Sequence, residues 1–268
     1  MLKRIVIGVV ALVVIVYGGL LAYLYANQRA FFFNPTGEVF DPELIGLDAE
    51  IVTIPTTENE TITGWYAPPD DGMDTILYLK GNSGSFSSEH ARFTAFVDAG
   101  YGFLAVDYRG FPLSPGTITQ DNILADAIAA FDWLAERQDS IAIWGRSLGA
   151  SPAVWVASQR DAEALLLETP FYSAVSVAAE RYPYAPVAWL MLDQFRSNDW
   201  IAAVDEPVFV AHGTADRTVS VGNGERLYAE VPNPYDIWIE EGADHGDLWA
   251  RGIWERAQAF FTDTQQGG

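Results

Sequence analysis

The chain has 268 residues, of which 50% are hydrophobic and 13% are aromatic, a size that predicts one large folded domain or two small ones. Its formal net charge is −21, from 36 acidic and 15 basic residues, which argues against nucleic acid and other polyanions as partners. No cysteine is present, and this excludes disulfide bonds, thiolate catalysis and cysteine-bound zinc.

A long uncharged segment lies near the N-terminus. No charged residue occurs over Ile5–Tyr25, and about 21 residues are enough to cross a ~30 Å hydrocarbon core as a helix. Lys3 and Arg4 precede the segment and only Arg29 follows closely, so the positive-inside rule predicts a cytoplasmic N-terminus. A cleaved signal peptide is the alternative, but its apolar core is shorter and the exit site here is poor. We expect residues 1–29 to be an uncleaved single-pass membrane anchor that leaves the catalytic domain periplasmic or extracellular.

Strand-like segments follow a connector at residues 27–43, NQRAFFFNPTGEVFDPE. From the third predicted strand onward these segments are short, apolar and rich in β-branched and aromatic residues, as expected for strands that are buried on both faces. The first two predicted strands have no helix between them and are expected to pair antiparallel. The predicted strands are Glu50–Ile54, Thr61–Tyr66, Thr75–Leu79, Gly102–Val106, Ser140–Trp144, Ala164–Leu167, Pro207–Ala211 and Tyr235–Ile239.

Helical patterns alternate with these strands, which predicts an α/β fold: a mostly parallel eight-stranded sheet with helices on both faces. One domain over residues 30–268 is the simplest division. Residues 171–200, rich in aromatic residues and proline, interrupt the alternation and are expected to form a small helical lid, with additional core as the alternative. The predicted helices are Ser87–Asp98, Gln120–Glu136, Ser147–Ser158, Gly222–Glu230 and Leu248–Thr262.

A Gly-x-Ser-x-Gly pattern stands between the fifth predicted strand and the helix after it, in WGRSLGAS. This strand–turn–helix context is typical of a nucleophile elbow, in which a strained turn exposes a serine hydroxyl at the edge of the sheet. Side chains at Gly145 or Gly149 would collide with the neighbouring strand and helix. The pattern therefore indicates Ser147 as a catalytic nucleophile.

A serine hydroxyl needs a general base, and histidine is the usual one. The chain has three histidines. His90 is predicted within a helix and His212 at the end of a strand, whereas His245 follows the last strand, as the chain order Ser–Asp–His requires. We expect His245 to be the base.

The acid that orients this histidine is expected on the loop after the penultimate strand, where HGTADRTV places Asp216. Asp244 is a local alternative whose neighbouring position would point its side chain away from the imidazole Nδ1. Asp193, within the irregular insert, is a weaker alternative.

Two backbone amides are expected to stabilise an oxyanion. One is the amide of Leu148, at the start of the helix that follows Ser147. The other is the main chain of Asn82 in the glycine-rich loop after the third strand, with Gly81 or Ser83 as alternatives. No H-E-x-x-H or similar spacing occurs, so we predict neither a metal site nor a cofactor.

These segments together resemble the α/β-hydrolase superfamily over residues 48–263, and more narrowly the membrane-anchored Bem46-like group with its animal ABHD12, ABHD13 and ABHD17 types. The resemblance rests on LYLKGNSGS, LAVDYRGFPLSPG, WGRSLGAS, ETPFYS, HGTADRTV and GADHGDLW. It implies a serine hydrolase of esters or thioesters with Ser147, Asp216 and His245 as its triad. One departure is Lys80, which stands where the group usually has histidine in His-Gly-Asn.

The predicted function is therefore cleavage of a small-molecule or lipid-like acyl ester through an acyl-enzyme. A peptidase or amidase of the same fold is the alternative, and a non-catalytic binding scaffold is less expected because a scaffold needs no triad. Aromatic residues are more often part of the core than of a pocket, but five are expected to line an acyl pocket: Phe111, Phe171, Tyr172, Trp189 and Trp249.

Overall fold

The strands of the sheet come from residues 50–240 of the chain. The computed structural model describes residues 1–267, so residue 268, the last of the expected domain, lies outside the described range. Within that range eight strands form one sheet, as predicted. They are β1 (Glu50–Pro55), β2 (Thr61–Ala67), β3 (Thr75–Leu79), β4 (Gly102–Asp107), β5 (Ile141–Arg146), β6 (Ala164–Glu168), β7 (Val208–Gly213) and β8 (Pro234–Glu240).

The strand order is β1-β2-β4-β3-β5-β6-β7-β8. The pairs β1–β2 and β2–β4 are antiparallel, and every pair from β4–β3 to β7–β8 is parallel. The β3 bounds are as predicted, while β5 continues beyond the predicted Trp144 because Arg146 still pairs with Glu168. The carboxyl ends of the parallel strands meet at one edge, where ligands bind in open α/β sheets.

Helices cover both faces of the sheet. The helices are α1 (Leu2–Phe32), α2 (His90–Asp98), α3 (Gln120–Ala135), α4 (Ala150–Ala157), α5 (Ala174–Arg181), α6 (Val187–Leu190), α7 (Ser197–Trp200), α8 (Val221–Tyr228) and α9 (Ile253–Gly267). The predicted final helix is divided, because Gly252 adopts φ 93° between a short 3₁₀ turn and α9. The helix predicted from Ser147 likewise begins with a 3₁₀ turn over Ser147–Gly149 before α4.

The first helix is longer than the predicted anchor. It continues through residues 27–32, which were expected to belong to the connector, and ends at Phe32, three residues before Pro35. Residues 27–32 contain no glycine or proline, so nothing in their sequence breaks the helix. Phe33 is extended, and Asn34, the residue before Pro35, is also restricted to extended conformations. By length and composition α1 is sufficient to cross a membrane.

The core lies on both sides of the sheet, because side chains of buried parallel strands alternate between the two faces. On one face Leu77 and Leu79 of β3 pack in a cluster that includes residues of α3 and α4, such as Ile123 and Ala153. On the other face Tyr78 packs in a cluster with residues of α2 and α9. Each large apolar side chain buried in this way stabilises the fold by about 1.5–3 kcal/mol.

The irregular region predicted at residues 171–200 forms the short helices α5, α6 and α7. Ser173 caps α5 with a capping box: its hydroxyl accepts from the Ser176 amide, and the Ser176 hydroxyl accepts from the Ser173 amide. Ser197 Oγ lies 3.0 Å from Ser151 Oγ of α4, which joins the end of this region to the helix after the elbow. We refer to residues 171–200 below as the insert.

Candidate active site

The elbow is formed by close packing between β5, α4 and β3. Ser147 has φ 52°, a strained left-handed conformation for a residue with a side chain. A Cβ atom on Gly145 would lie 2.5 Å from the Ala153 Cβ, and one on Gly149 would lie 1.9 Å from the Leu79 carbonyl oxygen. Both glycines therefore have the steric role that the sequence predicts.

Three side chains that are distant in the sequence meet at this edge. Ser147 Oγ lies 2.8 Å from His245 Nε2, and His245 Nδ1 lies 2.7 Å from Asp216 Oδ2. An ionised carboxylate only accepts hydrogen bonds, so Nδ1 carries the proton and Nε2 accepts from the serine hydroxyl. The structure thus brings together all three residues predicted as a triad.

Asp216 is held as a carboxylate by a set of donors. Its Oδ1 accepts from the amides of Thr218 and Val219, at 2.8 and 2.9 Å. Its Oδ2 lies 3.2 Å from Nε2 of His212, in addition to His245. Burial raises the pKa of Asp216, but the hydrogen bonds that it accepts from His212, His245 and the Val219 amide outweigh burial and hold that pKa well below its ordinary value.

His212 is a contact that the sequence analysis missed. It is fully buried, and its Nε2 also lies 2.9 Å from the Val219 carbonyl, so this nitrogen carries a proton that faces two acceptors. The sequence contained a signal for this contact. His212 and Asp216 stand four residues apart, on either side of a tight turn, and such a turn brings its two ends close together.

The other carboxylates considered for this role have different partners. Asp244 forms an ion pair with Arg217, whose Nε lies 2.9 Å from Asp244 Oδ2. Asp193 forms an ion pair with Arg29 of α1, with Nε 2.7 Å from Oδ2. Neither side chain lies within hydrogen-bonding distance of the imidazole of His245 in the described part of the chain.

The loop after β3 lies beside the serine. A Cβ on Gly81 would lie 3.6 Å from the Ser147 Cβ, and Gly81, Asn82 and Leu148 all border one cavity. The Asn82 side-chain amide donates to the Phe32 carbonyl, so the end of α1 restrains this loop.

Lys80 is buried under the same loop. Its Nζ donates to the Gly81 carbonyl at 2.9 Å and lies 3.7 Å from the centre of the Phe111 ring. Burial lowers the pKa of Lys80 to about 8, although Asp107 and Glu89 favour the charged form. Lys80 therefore braces the loop from below.

A buried ion-pair network supports the other side of the elbow. Arg92 of α2 donates to both carboxylate oxygens of Glu168 at 2.8 Å, and Trp144 Nε1 donates to the same carboxylate at 3.0 Å. Burial raises the pKa of Glu168, but Arg92 and Arg146 reverse that effect and lower it overall. Arg146 precedes the serine directly, so the network is continuous with the elbow.

A cavity of about 700 Å³ opens over Ser147 and His245, a volume within the usual range for small-molecule sites. Phe171 borders it, as predicted. Most of the remaining lining is aliphatic or aromatic and comes from the insert and from α1. Across residues 1–267, no group of three or more His, Asp or Glu side chains is placed to hold a metal ion.

Four of the five aromatic residues predicted for the pocket lie elsewhere. Phe111 is buried beneath Lys80 in the core, and Trp249 packs against Trp144 and Trp254 on the opposite side of the sheet. The Tyr172 hydroxyl donates to Glu230 at the surface, and Trp189 is 88% exposed. The prediction failed because aromatic composition does not indicate which face of an element a side chain occupies.

Comparison with known proteins identifies the family. A sequence model of the prolyl oligopeptidase family, Peptidase_S9, matches residues 86–265. The chain belongs to this family. The predicted α/β-hydrolase fold and ABHD-like resemblance are also confirmed: human Protein ABHD12B is 31% identical over 211 residues, which cover 68% of this chain and 58% of that protein.

A second relative matches almost end to end. The uncharacterized protein Rv2307c of Mycobacterium tuberculosis is 34% identical over 266 residues, 96% of this chain and 95% of its own length. Among solved structures, the esterase Pf2001 of Pyrococcus furiosus superposes with a TM-score of 0.69 at 21% identity, covering 87% of this chain and 97% of that one. Together with the family match, this likeness supports a hydrolase with the α/β-hydrolase fold.

Proposed function

We propose that this α/β-hydrolase is a serine hydrolase that cleaves carboxylic esters or thioesters through an acyl-enzyme. The observation that supports the proposal best is the continuous hydrogen-bonded chain from Ser147 through His245 to Asp216, with contacts of 2.8 and 2.7 Å. A scaffold that only binds has no need of such a chain.

The chemistry follows from this arrangement. His245 removes the proton from Ser147 as the hydroxyl oxygen attacks the substrate carbonyl, and Asp216 stabilises the imidazolium that forms. The amides of Leu148 and Asn82 are proposed to stabilise the oxyanion, and each such donor lowers the barrier by about 3–4 kcal/mol. The leaving group takes the proton from His245, and water activated by the same histidine then releases the acid. These steps require no metal or cofactor.

We also propose that α1 is retained as a membrane anchor. Residues of α1 border the cavity and contact the insert, so cleavage of a signal peptide would remove one side of the site. The position of Lys3 and Arg4 favours a cytoplasmic N-terminus and a catalytic domain on the opposite side of the membrane. Reporter fusions at the two termini test this topology, and a cytoplasmic C-terminal reporter would contradict it.

The test of the nucleophile uses the full-length protein. Wild type and Ser147→Ala are compared for labelling by a fluorophosphonate and for turnover of p-nitrophenyl acetate. We expect Ser147→Ala to remain folded, to resist labelling and to lose turnover by about 10⁴-fold or more. Ser158→Ala, the same substitution directly after α4, is the matched control and should label normally. Full labelling of Ser147→Ala would eliminate Ser147 as the nucleophile.

Peptide or amide cleavage is the second candidate, favoured by the match to the prolyl oligopeptidase family. A p-nitrophenyl ester and a p-nitroanilide that share one acyl group distinguish the two activities, because they differ only in the atom that leaves. A higher kcat/KM for the amide would establish the peptidase and reject the esterase.

A further inference from the structure

One face of α1 is directed toward the insert along half of the helix. Tyr17, Leu21, Leu24, Gln28 and Phe32 are spaced by three or four residues, which places them on one side of a helix. The last four of these are partly buried, whereas every residue from 1 to 20 is exposed. The stripe therefore distinguishes the second half of α1 from an ordinary membrane-spanning helix that contacts only lipid.

Specific polar contacts hold this face in position. The Tyr17 hydroxyl donates to the Tyr184 carbonyl at 2.6 Å. Gln28 makes two bonds to the insert: its Nε2 donates to the Leu190 carbonyl at 3.2 Å, and its Oε1 accepts from the Leu192 amide at 2.8 Å. The Arg29–Asp193 ion pair continues the series. The last turns of α1 are thus packed as part of the domain.

These contacts enclose the cavity over the serine. The wall on the α1 side consists of Leu24, Tyr25, Gln28, Phe31 and Phe32. The opposite wall is formed by insert residues, among them Val177, Val187, Leu190 and Met191. Ser147 and His245 lie in the same cavity, so an acyl group on the serine has an apolar space between α1 and the insert.

The depth of the contacts relates this space to the bilayer. The predicted membrane-spanning segment of α1 ends at Tyr25, and Tyr17 lies about 12 Å from Tyr25 along the axis, toward the N-terminus, at 1.5 Å per residue. The insert therefore extends alongside a portion of α1 that is apolar enough for hydrocarbon. Near its contacts with α1 the insert exposes Tyr184, Trp189 and Leu192, at 53%, 88% and 50%. Exposed aromatic residues of this kind are typical of the membrane–water interface.

We propose that α1 is one wall of the substrate site and that the substrate is a single-chain acyl ester taken directly from the bilayer. The ester carbonyl lies at Ser147, and its acyl chain lies between α1 and the insert, where Leu24 limits the length of chain accommodated. This assignment rests on the proposed serine hydrolase activity and adds the substrate class and a determinant of specificity.

The test measures chain-length preference in the full-length protein, reconstituted in phosphatidylcholine vesicles, with p-nitrophenyl esters from acetyl to palmitoyl. Leu24→Trp fills the proposed chain site. The matched control is Leu12→Trp, the same substitution at a position that is 61% exposed on α1. Because both variants use the same vesicles, partitioning of the long esters cancels in the comparison.

We expect Leu24→Trp to lower kcat/KM for the palmitoyl ester by about tenfold or more, the effect of displacing about two buried methylene groups. Turnover of the acetyl ester should fall much less than turnover of the palmitoyl ester, because the short acyl group does not fill the proposed chain site. Labelling of Ser147 by a fluorophosphonate shows that the variant is folded. Leu12→Trp should match wild type with both esters.

An unchanged ratio of palmitoyl to acetyl turnover in Leu24→Trp would overturn the proposal, whether both rates stay at the wild-type level or fall by the same factor. In either case Ser147-dependent acetyl turnover by the wild type would leave the proposed hydrolase activity standing. Absence of acetyl turnover and of Ser147 labelling in the wild type would instead reject the hydrolase activity, and the acyl site with it.

Discussion

Replacement of Gly149 by alanine tests the packing of the elbow most directly. The added Cβ would lie 1.9 Å from the Leu79 carbonyl oxygen and 2.5 Å from both the Leu79 carbonyl carbon and the Lys80 carbonyl oxygen. Carbon and oxygen atoms without a covalent bond approach to only about 3.3 Å, so the main chain must move by more than 1 Å. Overpacking typically costs about 1–3 kcal/mol, and more where it meets backbone. We expect the free energy of unfolding of Gly149→Ala to fall by about 3 kcal/mol or more.

The same displacement should impair catalysis. The end of β3 leads into the loop with Gly81 and Asn82, and Gly149 is two residues after Ser147. A misplacement of about 1 Å between reacting groups costs about 10²-fold in rate. The variant should therefore react with a fluorophosphonate about 10²-fold more slowly than wild type under conditions in which it remains folded.

Gly222→Ala is the matched control. Gly222 lies in α8, and a Cβ there would meet no atom within 4 Å. Alanine should stabilise this helix by about 0.5–1 kcal/mol, since it restricts the unfolded chain. Urea denaturation measures the stability of both variants, and the labelling rate reports on the site. If Gly149→Ala unfolds at the wild-type midpoint and labels at the wild-type rate, the steric account of the elbow is wrong.

Two further predictions concern buried charge. Burial lowers the pKa of Lys80 to about 8, so between about pH 8 and 10.5 the unfolded chain binds more protons and the free energy of unfolding rises with pH. Relative to Lys80→Met, wild type should gain about 3 kcal/mol over this window in denaturation experiments, and a difference that does not change with pH would contradict the lowered pKa of Lys80. Glu168→Ala leaves Arg92 buried without its carboxylate and should cost about 3–5 kcal/mol. The control is Glu136→Ala, which removes an ion pair whose carboxylate is 74% exposed and should cost less than about 1 kcal/mol. Similar losses of unfolding free energy in Glu168→Ala and Glu136→Ala would refute the argument from burial.

The fold was predictable because local patterns and the global arrangement agree. The short apolar runs of the central strands are typical of strands buried on both faces, and the order of strand and helix implied a mostly parallel sheet. The convergence of Ser147, Asp216 and His245 followed from the same reasoning, since each ends or follows a parallel strand and those ends share one edge. Their role in catalysis remains a prediction that the labelling experiment tests.

The pocket was not predictable from composition. Aromatic residues such as Phe111 and Trp249 are equally suited to core and to cavity, and only three-dimensional packing decides between them. The contribution of α1 was missed for a related reason: a uniformly apolar helix has no polar face to mark its contacts. The available signal was the presence of Tyr17, Gln28 and Arg29 in the second half of α1. Polar groups within or beside a membrane-spanning segment require partners, and these three residues therefore indicated a contact with the domain.

The bonds between α1 and the insert affect how this enzyme should be prepared. Membrane-anchored proteins are commonly truncated to obtain a water-soluble fragment, and a fragment starting at residue 33 would retain Ser147, Asp216 and His245. It would also lack Gln28, Phe32 and the other side chains that close one side of the cavity. In such a fragment the cavity would be a groove that is open to water. We therefore expect the substrate preference measured on the fragment to differ from that of the intact chain.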